Sequence, residues 1–568
     1  MKLKVVGVAF VLLSSACAMK SEKNDTKLVP LTTEQASQDL EAVITNLKSL
    51  YGPMQFKEKR FGYKFSDLAT AARKEMATSQ TEEEKLAVIK RLLTKLKDGH
   101  IEQHLAANAA NIESYVAPVF ITPVEGHAIV MSVGPSATNF GVEIGDEVLT
   151  IDGKNPFDFL PTILKYETFS NDLSDQHFLY KALSRPMYIP ELKPTSPQVY
   201  LTLKKSTGST YSAVIPWGIR KYSTSISSVD SSVQARFNYV AGNAQAFNSA
   251  AKGSIMELGA YSPYFLSAAS KSALGLMEIT TSNESLNRFG LTAADVMVNG
   301  KFCFYAAFYR HAGKNILMIR QASYTPAIPK AKMIRAYMAL LSQYEPMTDV
   351  LVIDQNHNPG GDLEYAINFF QLFIKPGEQK ASQVNFLHAD RKWVFDLLMY
   401  ADESTESSDK DFLNFRAGLV DSSINEGKFL TQPISLVSPE LLSSSPQYSW
   451  KKSFMVLADE LSGSCGDVFP MLIKHNKMAK IVGERTMGLG GSVEVVETLP
   501  QTRAVLHLTR GLISVYRPDG QYGDGDLVEN TGVQPDVRLK PTLSDFRAGF
   551  LEYLTKVSDL AVSEAGNK

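Results

Sequence analysis

The sequence predicts a mixed α/β, multi-domain protein with a helical N-terminal unit, a middle region of short strands and an α/β core. Three observations carry this. At 568 residues the chain exceeds what one hydrophobic core fills. Apolar residues recur at helical spacing from Thr32 to Leu50 and from Thr81 to Lys97. From about Lys301, apolar runs of strand length alternate with helical stripes, the pattern of a sheet covered by helices. A hydrophobic share of 44% with 21% charged residues fits a soluble globular chain. The formal net charge of −2 argues against nucleic acid as a partner, which needs a concentrated basic surface.

Taken in order, residues 1–18 read as a signal peptide. Lys2 and Lys4 precede the apolar run Val5 to Leu13, which is too short to span a bilayer. Two processing outcomes compete: Cys17 in Ala16-Cys17 suits a lipoprotein signal and a lipid anchor, whereas Ala16-Cys17-Ala18 suits ordinary cleavage. Either outcome exports the protein, to the periplasm or outer membrane or beyond. Only Cys303 and Cys465 remain, so no disulfide framework is expected, and no Cys/His cluster has zinc spacing, so neither metal nor cofactor is expected. Residues 19–110 form a tether and the helical unit, whose second helix runs into Lys97-Asp98-Gly99-His100. A helix ending at Asp-Gly puts His100 on a turn, where an imidazole can face a cleft.

In residues 111–220, Gly141 to Lys154 has the Gly-Asp turn, alternating strand and Asp-Gly hairpin seen in PDZ domains, which take an extended peptide, often a C-terminus, on a sheet edge. Residues 221–300 are a connecting insertion without clear period. In the 301–545 core, strands are expected at Asn315 to Ile319 and Asp349 to Ile353, and helices at Lys330 to Leu341 and Leu363 to Phe373. The Asp402 to Asp411 stretch reads as a charged loop, and residues 546–568 as a polar C-terminal helix or tail. After Asp349 to Ile353 comes Asp354-Gln355-Asn356-His357-Asn358-Pro359-Gly360-Gly361, whose glycines let backbone N–H groups approach a ligand. The strand-like run Ser453 to Ala458 leads to Leu461-Ser462-Gly463-Ser464-Cys465-Gly466-Asp467 and a helix start. A serine there faces the positive end of a helix, where free N–H groups can hold an oxyanion. Ser464 is therefore the candidate nucleophile.

Taken together, four motifs in order resemble the tail-specific, or C-terminal processing, serine peptidases: Asp354 to Gly361, the Ser464 turn, Gly483 to Gly491, and Glu529 to Asp536. The resemblance implies a ClpP/crotonase-like α/β catalytic core, protein or peptide substrates, and hydrolysis through an acyl-enzyme on Ser464. It leaves a homodimer open. Tail-specific members take their base from a lysine twenty-five places after the nucleophile, and that position is Leu489 here. The tricorn-core and chlamydial protease-like activity factor branch instead uses a histidine from the N-terminal region and a late glutamate. His100 and Glu529 match those positions. The resemblance then implies His100 as base, Glu529 as its partner, and an oxyanion held by the N–H of Cys465 and that of Gly360 or Gly361. His357 stays open as an alternative base, and Asp524 or Asp526 as alternatives to Glu529. The competing function is a catalytically inactive member of this fold that binds peptides or apolar ligands.

Overall fold

Seven strands form the sheet that carries the candidate site. Their spatial order is Met277–Glu278, Tyr305–His311, Lys314–Arg320, Val350–Asp354, Ser453–Ala458, Lys480–Gly483 and Val537–Arg538. From Lys314–Arg320 onward all neighbours are parallel. Val350 to Ile353 and Phe454 to Ala458 are buried. They read as unbroken apolar runs because helices cover both faces of the sheet. Lys330–Tyr344, Leu363–Gln371 and Cys465–His475 bury Met333, Phe369 and Phe469 on one face, and Leu551–Ala565 buries Tyr553, Leu554 and Val557 against Met455 and Leu457 on the other. Parallel strands end on the same side, so the turns after Asp354 and Ala458 lie next to each other.

The computed structural model describes residues 31–104, 113–221 and 267–566, apart from 281, 299–300, 303, 327, 405–406 and 503. The signal segment with Cys17, Cys303 and most of the 221–300 insertion lie outside the described residues. Two expectations about boundaries are corrected. Met277–Glu278 pairs with Phe308 and Ala307, so the end of the supposed insertion already belongs to the core sheet. The closing helix is no polar tail either, since its apolar stripe, together with Phe550, seals the second face of that sheet. The charged loop at Asp402 to Asp411 is also corrected. Helices Arg391–Glu403 and Ser407–Asn425 run through most of it, held by Trp393, Leu397, Leu413 and Val420, while the charged residues lie at their ends.

The N-terminal unit contains four helices, α1 (Thr33–Leu50), α2 (Met54–Phe61), α3 (Phe65–Thr78) and α4 (Glu82–Thr94). Thr32 with Gln35 and Thr81 with Glu84 form capping boxes at α1 and α4. Short, charge-rich α2 shows little periodicity in sequence, whereas α3 buries Phe65, Ala69, Ala72 and Met76 along one face. This unit shares its core with Leu499, Leu506 and Leu508, and Glu102–His104 pairs antiparallel with Val505 to His507. The residues after α4 are thereby tied to the half of the chain that carries the seven-stranded sheet.

Between them stands a five-stranded antiparallel sheet, ordered Val119–Val124, His127–Val133, Glu147–Ile151, Gln198–Lys204 and Thr210–Pro216. Its core joins Phe169, Phe178 and Leu179, from the long stretch before Gln198, to Leu461, Met487 and Leu489 beside the seven-stranded sheet. That stretch is the wedge between the middle sheet and the candidate site. No helix among the described residues is long and apolar enough to cross a membrane.

Candidate active site

Ser464 precedes the helix Cys465–His475 in a left-handed conformation, φ 56° and ψ −119°. A side chain at positive φ is unfavourable and persists only where the surroundings impose it. Here Gly463 N donates to Asn358 O at 2.9 Å, and Gly466 N donates to Gly463 O at 2.7 Å, closing the turn. Ser464 is half-buried, and its hydroxyl has no hydrogen bond to a described residue. The helix behind it is anchored by buried Asp467, whose carboxylate accepts from Thr486 Oγ1, from Gly488 N at 2.9 Å and from Leu489 N at 2.9 Å. Burial pushes this carboxyl up to about 6 against those bonds.

The Gly-Gly turn touches the serine directly. A methyl group on Gly360, at φ 99°, would lie 2.6 Å from Ser464 Cβ and 2.7 Å from Cys465 N, so only glycine fits. Gly360 N donates to Asn358 Oδ1 at 2.9 Å, whereas Gly361 N and Cys465 N have no hydrogen-bond partner among the described residues. Of the two glycine amides anticipated for an oxyanion, the one at Gly361 is unengaged; Gly360 supplies close approach. Cys465 donates its thiol to Gly361 O at 3.1 Å, and burial holds that thiol far above the usual range, which leaves it a packing residue.

His100 and Glu529 are brought together despite their separation in sequence. With Asp98 they present side-chain N and O atoms within 4.8 Å of one another, all buried. His100 N donates to Asp98 Oδ1 at 2.9 Å, and Tyr51 donates to Asp98 Oδ2 at 2.9 Å. Glu529 accepts from Gly490 N at 3.0 Å on one oxygen and from Lys57 on the other. Lys57, fully buried on α2, also donates to Asn530 Oδ1 at 2.6 Å and to Lys97 O at 2.8 Å. Burial and then the negative charge of Asp98 push the Glu529 carboxyl up to about 8, against the pull of Lys57. Burial opposes ionisation of Asp98 too, but Lys57 and His100 outweigh it and hold that carboxyl below its ordinary value. The triplet has the spread of a metal-ligand set, yet the Lys57 ammonium already provides the positive charge that a cation would bring.

Leu489 lies between the two halves. Its Cδ2 would be 2.7 Å from a methyl on Gly99, and its Cδ1 3.0 Å from one on Gly463. One leucine side chain thus packs against both the His100 turn and the Ser464 turn. Asn530 fastens the His100 turn by donating to Lys97 O at 2.6 Å and Ser170 O at 2.7 Å.

The alternatives sit elsewhere. Asp524 and Asp526 make ion pairs with Lys59 and Arg517, outside the buried cluster of Glu529. His357, on the Gly-Gly turn, turns its Nδ1 to Asp459 Oδ2 at 2.5 Å. Sequence reasoning missed Lys57, which lies in the charged run Lys57 to Arg60 and carries no local signal. Asp98 and Asn530 stand beside His100 and Glu529 in the same motifs, but nothing local marks them as partners.

Residues 315–539 match the sequence model of peptidase family S41. A Chlamydia pneumoniae protein is 24% identical over 582 residues, covering 94% of this chain and 91% of that one. A Chlamydia muridarum protein is 28% identical over 250 residues, and there the match spans only 40% of either chain. The tricorn protease of Thermoplasma acidophilum is 27% identical over 167 residues, 27% of this chain and 15% of that one. The crystal structure of mature CPAF superposes with a TM-score of 0.71 at 20% identity, covering 94% of this chain and 98% of that one, which establishes a shared fold. Residues 315–539 thus carry a peptidase family S41 domain, and the chain is similar there to the serine-type peptidases of that family.

Proposed function

We propose that this protein is an exported endopeptidase that cuts protein substrates through an acyl-enzyme on Ser464, with His100 as general base. His100 takes the Ser464 proton as its oxygen attacks the peptide carbonyl, then returns it to the leaving amine; water repeats the cycle on the ester. The amides of Cys465 and Gly361 receive the oxyanion, and Glu529 offsets the imidazolium charge. The observation that carries this reading is the strained Ser464 at a helix N-terminus beside two unengaged amides, with a buried His-carboxylate cluster whose turn packs on the same leucine as the Ser464 turn. Leu489 cannot accept a proton, which leaves a histidine as the base.

Export rests on the basic and apolar N-terminal segment, with Cys17 as the lipid attachment point in one of its two processing outcomes. The middle sheet, whose edge strands are Val119–Val124 and Thr210–Pro216, is the PDZ-like surface we assign to substrate docking. A fluorophosphonate probe tests the chemistry. Labelling of the intact protein that disappears in both Ser464→Ala and His100→Ala supports the assignment. Absence of labelling in folded, processed protein favours the inactive binding member instead.

A further inference from the structure

The cluster behind His100 contains a residue that the peptidase reading does not use. Lys57 is wholly buried and comes from α2, which supplies no other group to the acyl-transfer scheme. Its three acceptors, Glu529 Oε1, Asn530 Oδ1 and Lys97 O, match the three N–H bonds of an ammonium. A neutral amine has only two N–H bonds and would leave one acceptor bare. Lys57 is therefore a charged donor with no lone pair to offer, and it is not a second base. Buried charge is retained where it is paired, and removing one partner leaves the other uncompensated.

We propose that Lys57 is a positioning residue that holds Glu529 in place and, through it, sets the pH at which the His100 base becomes free. This rests on the proposed peptidase reading. The groups facing Glu529 and His100 are few: Lys57 from α2, Tyr51 after α1, Asp98 beside His100, Gly490 N, and Asn530, whose carbonyl also accepts from Arg60 at 3.0 Å. Tyr63 adds a phenol near Asp98. Lys57 is the ammonium bonded directly to Glu529. Without it the cluster loses one positive charge, so Glu529 and His100 both hold their protons to higher pH. The α2 lysine thereby links the N-terminal unit to the chemistry: its bonds to Asn530 and Lys97 O join the two segments that carry Glu529 and His100.

The test uses the full chain and two readouts. In Lys57→Met, the His100 imidazole titration followed by NMR, assigned with His100→Gln, should move up by about one pH unit or more, the size of an opposite-charge effect at this range. The half-rise of fluorophosphonate labelling at Ser464 should move up with it, leaving labelling about tenfold slower at pH 7 and recovered at high pH. An unmoved His100 midpoint in folded Lys57→Met overturns the proposal. If that single variant does not fold, Glu529→Gln is compared with Glu529→Gln/Lys57→Met, in which the bare carboxylate is gone. A further loss of labelling larger than about twofold in the double variant means that Lys57 acts other than through Glu529, which also overturns it. A moved NMR midpoint with no labelling of the unaltered protein supports the role of Lys57 in the cluster and removes the peptidase reading alone.

Discussion

His100 and His357 each stand near a carboxylate, and they differ in what that carboxylate does. Asp459 accepts from the His357 ring at 2.5 Å, from His357 N at 2.7 Å, from Leu461 N at 3.1 Å and from Ser462 Oγ at 3.2 Å. It is a clamp that joins the Gly-Gly turn to the strand end before Ser464, and the His357 side chain, 36% exposed, is one of the things it clamps. His100 is 1% exposed and shares its pocket with two carboxylates and an ammonium, so a proton added there is felt by four groups. His357 lies on the turn that abuts Ser464, whereas His100 lies in the buried charge cluster, and the two surroundings make different predictions for a base.

The sharpest way to break this comparison is to remove each imidazole in turn. His100→Gln is expected to slow labelling of Ser464 by about 10²–10⁴-fold, the usual range for a lost general base, while His357→Gln stays within about fivefold of the parent. The reverse pattern in the same assay places the base on the Gly-Gly turn. Gly360→Ala asks whether that turn acts through its backbone. Its new methyl meets Ser464 Cβ and Cys465 N at contact distances no real Cβ shows. We expect at least about a hundredfold loss of labelling, the cost of a displaced oxyanion donor. Labelling at the parental rate would show that the two turns are not a unit.

Glu529→Gln has a smaller effect, about 10–100-fold on labelling, comparable to loss of a group that orients another. It also has a signature in stability. The Glu529 carboxyl is raised in the folded chain, from 4.5 to about 8, so the folded state holds this proton more tightly. Its contribution is fully present below pH 4.5 and is lost as the pH climbs through about 8. Melting temperatures across that window should therefore fall more steeply for the parent than for Glu529→Gln, and parallel curves would sink the assignment. The smallest effect belongs to Asp459→Asn. It should cost about 1–3 kcal/mol of stability in a denaturant melt through the clamp it loosens, with labelling changed less than about threefold. A large kinetic loss there would restore His357 as a contender.

Much of the fold was legible because its signals are local. The strand at Val350 to Ile353 and the helix at Lys330 to Tyr344 each announce themselves by apolar spacing over a few residues. The Gly-Gly turn and Ser464 are legible for a similar reason, since small residues at a strand end mark a place where backbone must come close. Helices α2 and α3 and the pair Arg391–Glu403 and Ser407–Asn425 were harder, because charge at their ends and surfaces obscures a narrow buried stripe. Leu489 was legible as an absence of lysine, but not as the spacer between Gly99 and Gly463.

By itself the sequence determined that a serine stands at the mouth of a parallel sheet, that no lysine follows it at the expected interval, and that His100 and Glu529 are the groups to test. Only the tertiary structure decided their company. Lys57, Asp98, His100 and Glu529 come from three distant parts of the chain; burial and Asp98 raise the Glu529 carboxyl, while Lys57 and His100 hold that of Asp98 down. Secondary structure follows from spacing within a few residues, whereas a buried proton balance depends on distances of a few ångströms between segments that no local pattern relates.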